Sequence, residues 1–199
     1  MAPDRLPEPL GVALAVAREL EHVNISYVAV GSLASSVHGE PRSTDDLDFL
    51  VDLSVSAAER LVAALQPTYY VSRDAAIAAA RQPRDGTFNA IHLATALKVD
   101  FFVVGGNEFD RSRLSARQRV RVAEGSTGEL WVDTAEHTIA RKLEWYRRGG
   151  SVSDRQWRDV LGVLRAQAGR LDAARLTVAA EQLGVKDLLD QARREAMSG

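Results

Sequence analysis

The sequence predicts an α+β protein: a mixed β-sheet flanked by helices, followed by a C-terminal helical bundle. Three observations carry that expectation. Short apolar runs of strand length (SYVAV, LDFLV, KVDFFVV) recur through the first two thirds of the chain, with helical stretches between them. From Thr134 onward the periodicity is helical throughout, broken at Gly149-Gly150, Gly169 and Gly184. Asp46 and Asp48 sit two apart at the start of an apolar run, a spacing that places both carboxylates on one face of a strand while Leu47, Phe49 and Val51 go to the core.

Taken in order, residues 8–22 repeat Leu10, Leu14, Ala17 and Leu20 at helical spacing and form an amphipathic helix. Residues 26–30 form the first strand, 32–39 a short helix or turn ended by Gly39 and Pro41, and 46–53 the second strand. A helix over 56–65 is stopped by Pro67, a short strand follows at 68–72, and another helix at 73–82. Residues 87–93 and 98–104 read as paired strands, although their connection, ATAL, has no strong turn signal. No element is assigned over 105–117. Residues 118–123 and 129–133 read as a hairpin turning at GSTG, 125–128. Helices are expected at about 134–148, 154–167, 171–183 and 185–197, with Asp133/Glu136 and Ser153/Gln156 matching capping boxes. The expected domains are a core over 1–133 and a helical domain over 134–199.

The bulk composition narrows the function classes. With 199 residues, 46 % hydrophobic and 26 % charged, the chain is ordinary for a globular protein. A net charge of −2 supplies no global field for nucleic acid, so phosphate contacts would come from a local basic patch. The basic residues are nearly all arginine; Lys98, Lys142 and Lys186 are the only lysines. With no cysteine, disulfides, thiolate metal sites and a cysteine nucleophile are excluded. The run LGVALAVA is short, is flanked by Asp4, Glu8 and Glu19, and lacks the basic start of a signal peptide. No segment approaches the ~20 apolar residues of a membrane span. The expected location is cytoplasmic, without a membrane partner.

The chemistry concentrates in GSLASSVHGEPRSTDDLDFLVD, Gly31 to Asp52. Two adjacent carboxylates repel each other and are costly to bury unpaired, and a divalent cation, most often Mg²⁺, is the usual reason to place them together. Asp100 alternates out of step with Val99, Phe101 and Val103 in KVDFFVV. If that strand lies beside 46–51, Asp100 completes a three-carboxylate cluster able to hold two Mg²⁺ about 4 Å apart for phosphoryl displacement. Gly31 and Ser32 close the first strand, and a glycine followed by a small hydroxyl residue at a strand-to-helix turn lets the backbone approach a phosphate. Asp45 faces the other way and reads as a turn residue, and Asp52 as a strand end. Trp131, Trp145 and Trp157 read as packing residues, and the four histidines show no ligand spacing.

Val30-Gly31-Ser32, a spacer of thirteen residues, Asp46-Leu47-Asp48-Phe49 and the later Asp100 together resemble the nucleotidyltransferase superfamily, over roughly residues 26–105. Arg42 and Thr44 resemble the approach to its acidic motif. The second half is similar to the AbiEii-type branch, several of whose members are toxins of toxin–antitoxin pairs, in AEHTIARKLEWYRRGG and RQWRDVLGVL. That branch often has a further aspartate after its Arg-Asp pair, where Gly162 and Val163 stand here. The resemblance implies Mg²⁺-dependent transfer of a nucleoside monophosphate from an NTP to an acceptor hydroxyl on a tRNA or protein. It implies catalytic and metal-binding roles for Asp46, Asp48 and Asp100, with Asp100 taking the acceptor's proton. Lys142 would contact the triphosphate, with Arg158 and Asp159 beside it, and a cognate antitoxin would be a partner. Two alternatives stand beside this: transfer to a small antibiotic-like acceptor, and a non-catalytic nucleotide-binding or antitoxin-like module of the same fold.

Overall fold

The structure is a computed structural model describing residues 8–42, 46–121 and 128–198. Thr44 and Asp45, part of the expected 125–128 turn and the end of the expected 118–123 strand lie outside the described residues. The chain divides into two compact units, one of Met1–Ser32 with Thr44–Val132 and one of Leu33–Ser43 with Asp133–Gly199.

In chain order the elements are α1 (Glu8–His22), β1 (Tyr27–Val30), α2 (Gly31–His38), β2 (Asp46–Val51), α3 (Val55–Leu65), β3 (Tyr69–Val71), α4 (Arg73–Arg81), β4 (Thr87–His92) and β5 (Lys98–Val103). There follow α5 (Glu108–Ala116), β6 (Gln118–Arg121), β7 (Glu129–Val132), α6 (Ala135–Arg148), α7 (Asp154–Ala166), α8 (Ala173–Gln182) and α9 (Lys186–Ser198).

The seven strands among the described residues belong to the first unit and form one mixed sheet in the order β3-β4-β5-β2-β1-β7-β6. β2 runs parallel to β5 and β1 parallel to β7; the other neighbours are antiparallel. The alternation along β2, β4 and β5 sends Leu47, Phe49, Phe88, Val99 and Phe101 to one fully covered face. There Phe88 and Phe101 stack at 4.7 Å and Phe49 and Phe101 at 6.1 Å. The opposite face is apolar only toward the ends of β2 and β5, where Val28, Val30 and Leu50 pack with Phe102, Val104 and Leu114 of α5. Asp46, Asp48 and Asp100 stand at the other end of that same face.

α5 is an element the sequence did not announce. Its large apolar residues are Phe109 and Leu114, its buried polar residue is Arg113, and its start is fixed by Asn107, whose side chain accepts from the Asp110 N–H at 2.7 Å. The β4–β5 connection also closes without a glycine. Ala96 takes a left-handed φ of 59°, and the Thr95 hydroxyl bonds His92 Nδ1 at 2.8 Å.

The second unit is helical. Ile139, Leu143, Val160, Val163, Leu176 and Leu189, from α6, α7, α8 and α9, are fully buried in one cluster with Val185 of the α8–α9 connection. Ser153 caps α7, accepting from Gln156 N, but the Gln156 side chain accepts from Lys142 Nζ rather than closing the expected box. The cap of α6 is one residue later than the sequence suggested: Thr134, not Asp133, accepts from His137 N. Glu136 does not reach back to close a box. Its carboxylate accepts from Asp172 N at 2.8 Å and ties α6 to the start of α8. Among the tryptophans, Trp157 packs on Tyr146 at 5.0 Å between helices, whereas Trp145 is half-exposed beside Arg148.

Candidate functional site

The carboxylate face of the first unit is set by strand register. β2 and β5 pair so that Asp48 stands opposite Asp100 and Asp46 opposite Lys98. Asn89 of β4 stands opposite Asp100 on its other side, and Val30 of β1 opposite Asp48. All three acids therefore project from one face, with Asp46 exposed and Asp48 and Asp100 half-buried.

Gly31 follows β1 directly and opens α2 with a φ of 62°. A Cβ at that position would fall 2.0 Å from Asp48 Oδ2 and 2.8 Å from its Cγ. The glycine is thus required twice, for its left-handed backbone and for the volume that the Asp48 carboxylate fills. The same turn leads into Ser32, at the start of α2.

Two carboxylates at the ~5 Å spacing of adjacent strands repel by about 3 kcal/mol at an effective dielectric of about 20. Lys98 offsets part of this. Its Nζ lies 2.8 Å from Asp100 Oδ2, and that hydrogen bond, joined by the charges of Asp100, Asp46 and Asp48, holds its ammonium above the usual lysine range. Among the described residues no three acidic, histidine or cysteine side chains are gathered into a cation cluster. The backbone brings the three acids to one face, while the Asp100 side chain is turned onto Lys98. As a donor set, three carboxylates beside a glycine cradle fit a hard cation such as Mg²⁺.

Lys142 and Asp159 come together in the second unit. Lys142 Nζ lies 2.7 Å from Asp159 Oδ2 and 3.2 Å from Gln156 Oε1, and the lysine is only 5 % exposed. Burial depresses the lysine's pKa, with the Asp159 hydrogen bond and charge offsetting only part of it. Burial alone would raise the Asp159 carboxyl, but hydrogen bonds from Arg42 and Lys142 prevail and hold it below the usual carboxylate range. Arg42 grips Asp159 with both arms of its fork, Nε to Oδ1 at 3.0 Å and Nη2 to Oδ2 at 2.8 Å. Arg158, adjacent in sequence, is exposed and donates to Asp154 O at 3.4 Å.

The sequence signals were incomplete here. Nothing local marks Arg42 as the partner of a residue 117 positions away. Lys98 had one signal, as one of only three lysines beside a candidate ligand. His38 and His137 are structural, as expected: both are buried, His38 Nε2 meeting Asp133 O at 2.5 Å and His137 Nδ1 the Thr134 hydroxyl at 3.2 Å.

No protein-family model matches the chain, and no curated protein matches it significantly. Solved structures do. An antigenic nucleotidyltransferase-like protein from Paracoccidioides brasiliensis aligns with a TM-score of 0.56 at 14 % identity, over 92 % of this chain and 91 % of its own. The antibiotic-resistance factor ANT(2″)-Ia aligns with a TM-score of 0.58 at 11 % identity, over 95 % of this chain and 99 % of its own. No helix among the described residues is long and apolar enough to cross a membrane. Sheet order, acid-bearing face and these alignments agree: the chain has a nucleotidyltransferase-like α+β fold with a C-terminal helical part.

Proposed function

We propose that the protein is a divalent-cation-dependent nucleotidyltransferase that moves a nucleoside monophosphate from an NTP to an acceptor hydroxyl and releases pyrophosphate. The observation that supports it is the register that lines up Asp48 with Asp100 on the face that also carries Asp46, with Gly31 moulded against Asp48. Mg²⁺, held by Asp46, Asp48 and Asp100, would neutralise charge on the polyphosphate and on the attacking oxygen. The chain's own groups do the positioning. Gly31 admits the polyphosphate close to the backbone, and Ser32 binds its oxygens. Asp100 turns from Lys98 to the acceptor hydroxyl and takes its proton. In the second unit Lys142 and Asp159 are the nucleotide-binding residues, Asp159 fixing where the Lys142 ammonium stands. Most of the rate gain comes from alignment and charge compensation.

The resemblance at Lys142 and Arg158-Asp159 supports a tRNA or a protein as acceptor, and a toxin role with a cognate antitoxin. Incubation with α-labelled NTPs, Mg²⁺ and total tRNA or total protein tests this. Label transfer that disappears in Asp46→Asn is the expected result; NTP binding without any transfer would mean that the fold serves as a binding module.

The fold likeness to the antibiotic-resistance factor ANT(2″)-Ia favours a second reading, transfer to a small antibiotic-like acceptor. It predicts protection of expressing cells on drug plates, where the toxin reading predicts growth arrest on induction.

A further inference from the structure

A cavity of about 330 Å³ lies within the second unit, between the segment around residues 35–42 and one side of α7. Three guanidinium groups line it: Arg42, Arg155 and Arg158. The acids on its wall are Asp159 and Glu40. Asp159 is already committed twice, to the Arg42 fork and to Lys142. Among the described residues neither Arg155 nor Arg158 is ion-paired with a carboxylate.

Three guanidinium groups thus line the space with two carboxylates, one of which, Asp159, is also held by the buried Lys142. A purely structural ion pair needs one cation for Asp159, not two, and has no use for Arg155 and Arg158 on the same wall. Like charges held together cost stability. Part of that cost is visible at Lys142, whose pKa is depressed by burial first and then further by the charges of Arg42 and Arg155.

Guanidinium forks recognise phosphate and carboxylate oxygens in pairs, and a fork already fixed by a neighbour loses little entropy on binding. Arg42 is such a fixed fork. Arg155 and Arg158, three apart on α7, share a helical face and remain adjustable. The volume is at the low end of small-ligand sites, which run from about 300 to 1,000 Å³.

We propose that this cavity is a phosphate-binding site in which Arg155 and Arg158 clasp the anion against the fixed Arg42. The phosphate comes either from a free nucleotide's polyphosphate or from a polynucleotide backbone. Asp159 joins this cavity to the nucleotide-binding residues proposed above, so the nucleotide source rests on that reading and the backbone source does not.

The test uses the full chain in EDTA, so that no divalent cation contributes. Binding of sodium tripolyphosphate is measured by calorimetry, and binding of a fluorescent twelve-nucleotide single-stranded RNA by anisotropy, each at low and high salt. The proteins are wild type, the double variant Arg155→Gln/Arg158→Gln and a charge-matched control, Arg165→Gln/Arg170→Gln, on exposed positions outside the cavity. All of these arginines are exposed, so the variants are expected to melt with the wild type. The expected result is salt-sensitive binding of at least one probe, weakened tenfold or more in the double variant and less than twofold in the control. Tripolyphosphate alone bound identifies a nucleotide source; the RNA bound more tightly identifies a backbone source. Failure of both probes to bind, unchanged binding in the double variant, or equal weakening in the control overturns the proposal.

Discussion

The Asp48 carboxylate occupies the space that a side chain at residue 31 would need: its Oδ2 lies 2.0 Å from where a Gly31 Cβ would stand. A turn at the end of β1 and an acid on β2 are therefore shaped to each other. This is why a Gly-Ser pair and an Asp-x-Asp pair separated by thirteen residues act as one motif.

Gly31→Ala is expected to fail on both counts. The left-handed φ of 62° costs a non-glycine residue about 1–2 kcal/mol, and the added methyl displaces Asp48. Urea denaturation should show a stability loss of at least about 1 kcal/mol, with divalent-cation binding weakened alongside. A variant as stable as wild type would remove the steric link between the two residues.

Asp46→Asn separates function from stability. Asp46 is exposed and shares its face with Asp48 and Asp100, so neutralising it relieves repulsion. The melting temperature is expected to stay level or rise while label transfer drops at least about a hundredfold, the scale on which removal of one electrostatic group acts in catalysis. A parallel loss of both would mark Asp46 as a structural residue.

Lys98→Met probes the counter-charge on the same face. The Lys98–Asp100 pair has side chains 44 % and 22 % exposed, so its loss should cost no more than about 1 kcal/mol. Removing a cation from beside three carboxylates should tighten Mn²⁺ binding, read by electron paramagnetic resonance of the free ion. Weaker binding in Lys98→Met would show that the ammonium organises the acids rather than competing with a metal.

Asp159 contributes acid sensitivity to the second unit. Its folded pKa lies below the unfolded value of about 3.9, so its contribution is fully present above pH 4 and is lost as the pH falls through the folded value. Wild type should lose more stability than Asp159→Asn between pH 5 and pH 3. At neutral pH Asp159→Ala strands the nearly buried Lys142 and should cost about 3 kcal/mol, as the breaking of buried pairs does.

Much of this arrangement was legible because it is written in local periods. The two-residue alternation of DLDFLV and KVDFFV fixed which side chains face the core, and the strands formed where that alternation occurs. The helical half was legible from its glycine breaks. What escaped has no local period. α5 is short and polar, and it is held by an Asn107 cap, a buried Phe109 and Leu114 packing on strands far away in sequence. The β4–β5 turn relies on Ala96 in a conformation that alanine rarely takes. The grouping of residues 33–43 with the C-terminal helices rests on contacts such as Arg42 to Asp159 and His38 O to Gln167 Nε2, which no window along the chain can contain.

The most direct test of the account is Mn²⁺ binding in the presence of a non-hydrolysable NTP, measured by electron paramagnetic resonance for wild type, Asp46→Asn, Asp48→Asn and Asp100→Asn. Wild type is expected to bind Mn²⁺ stoichiometrically and each variant to lose that binding, because the three acids project from one face. Retention of full binding by Asp100→Asn, or the absence of binding by a folded wild type, would contradict it.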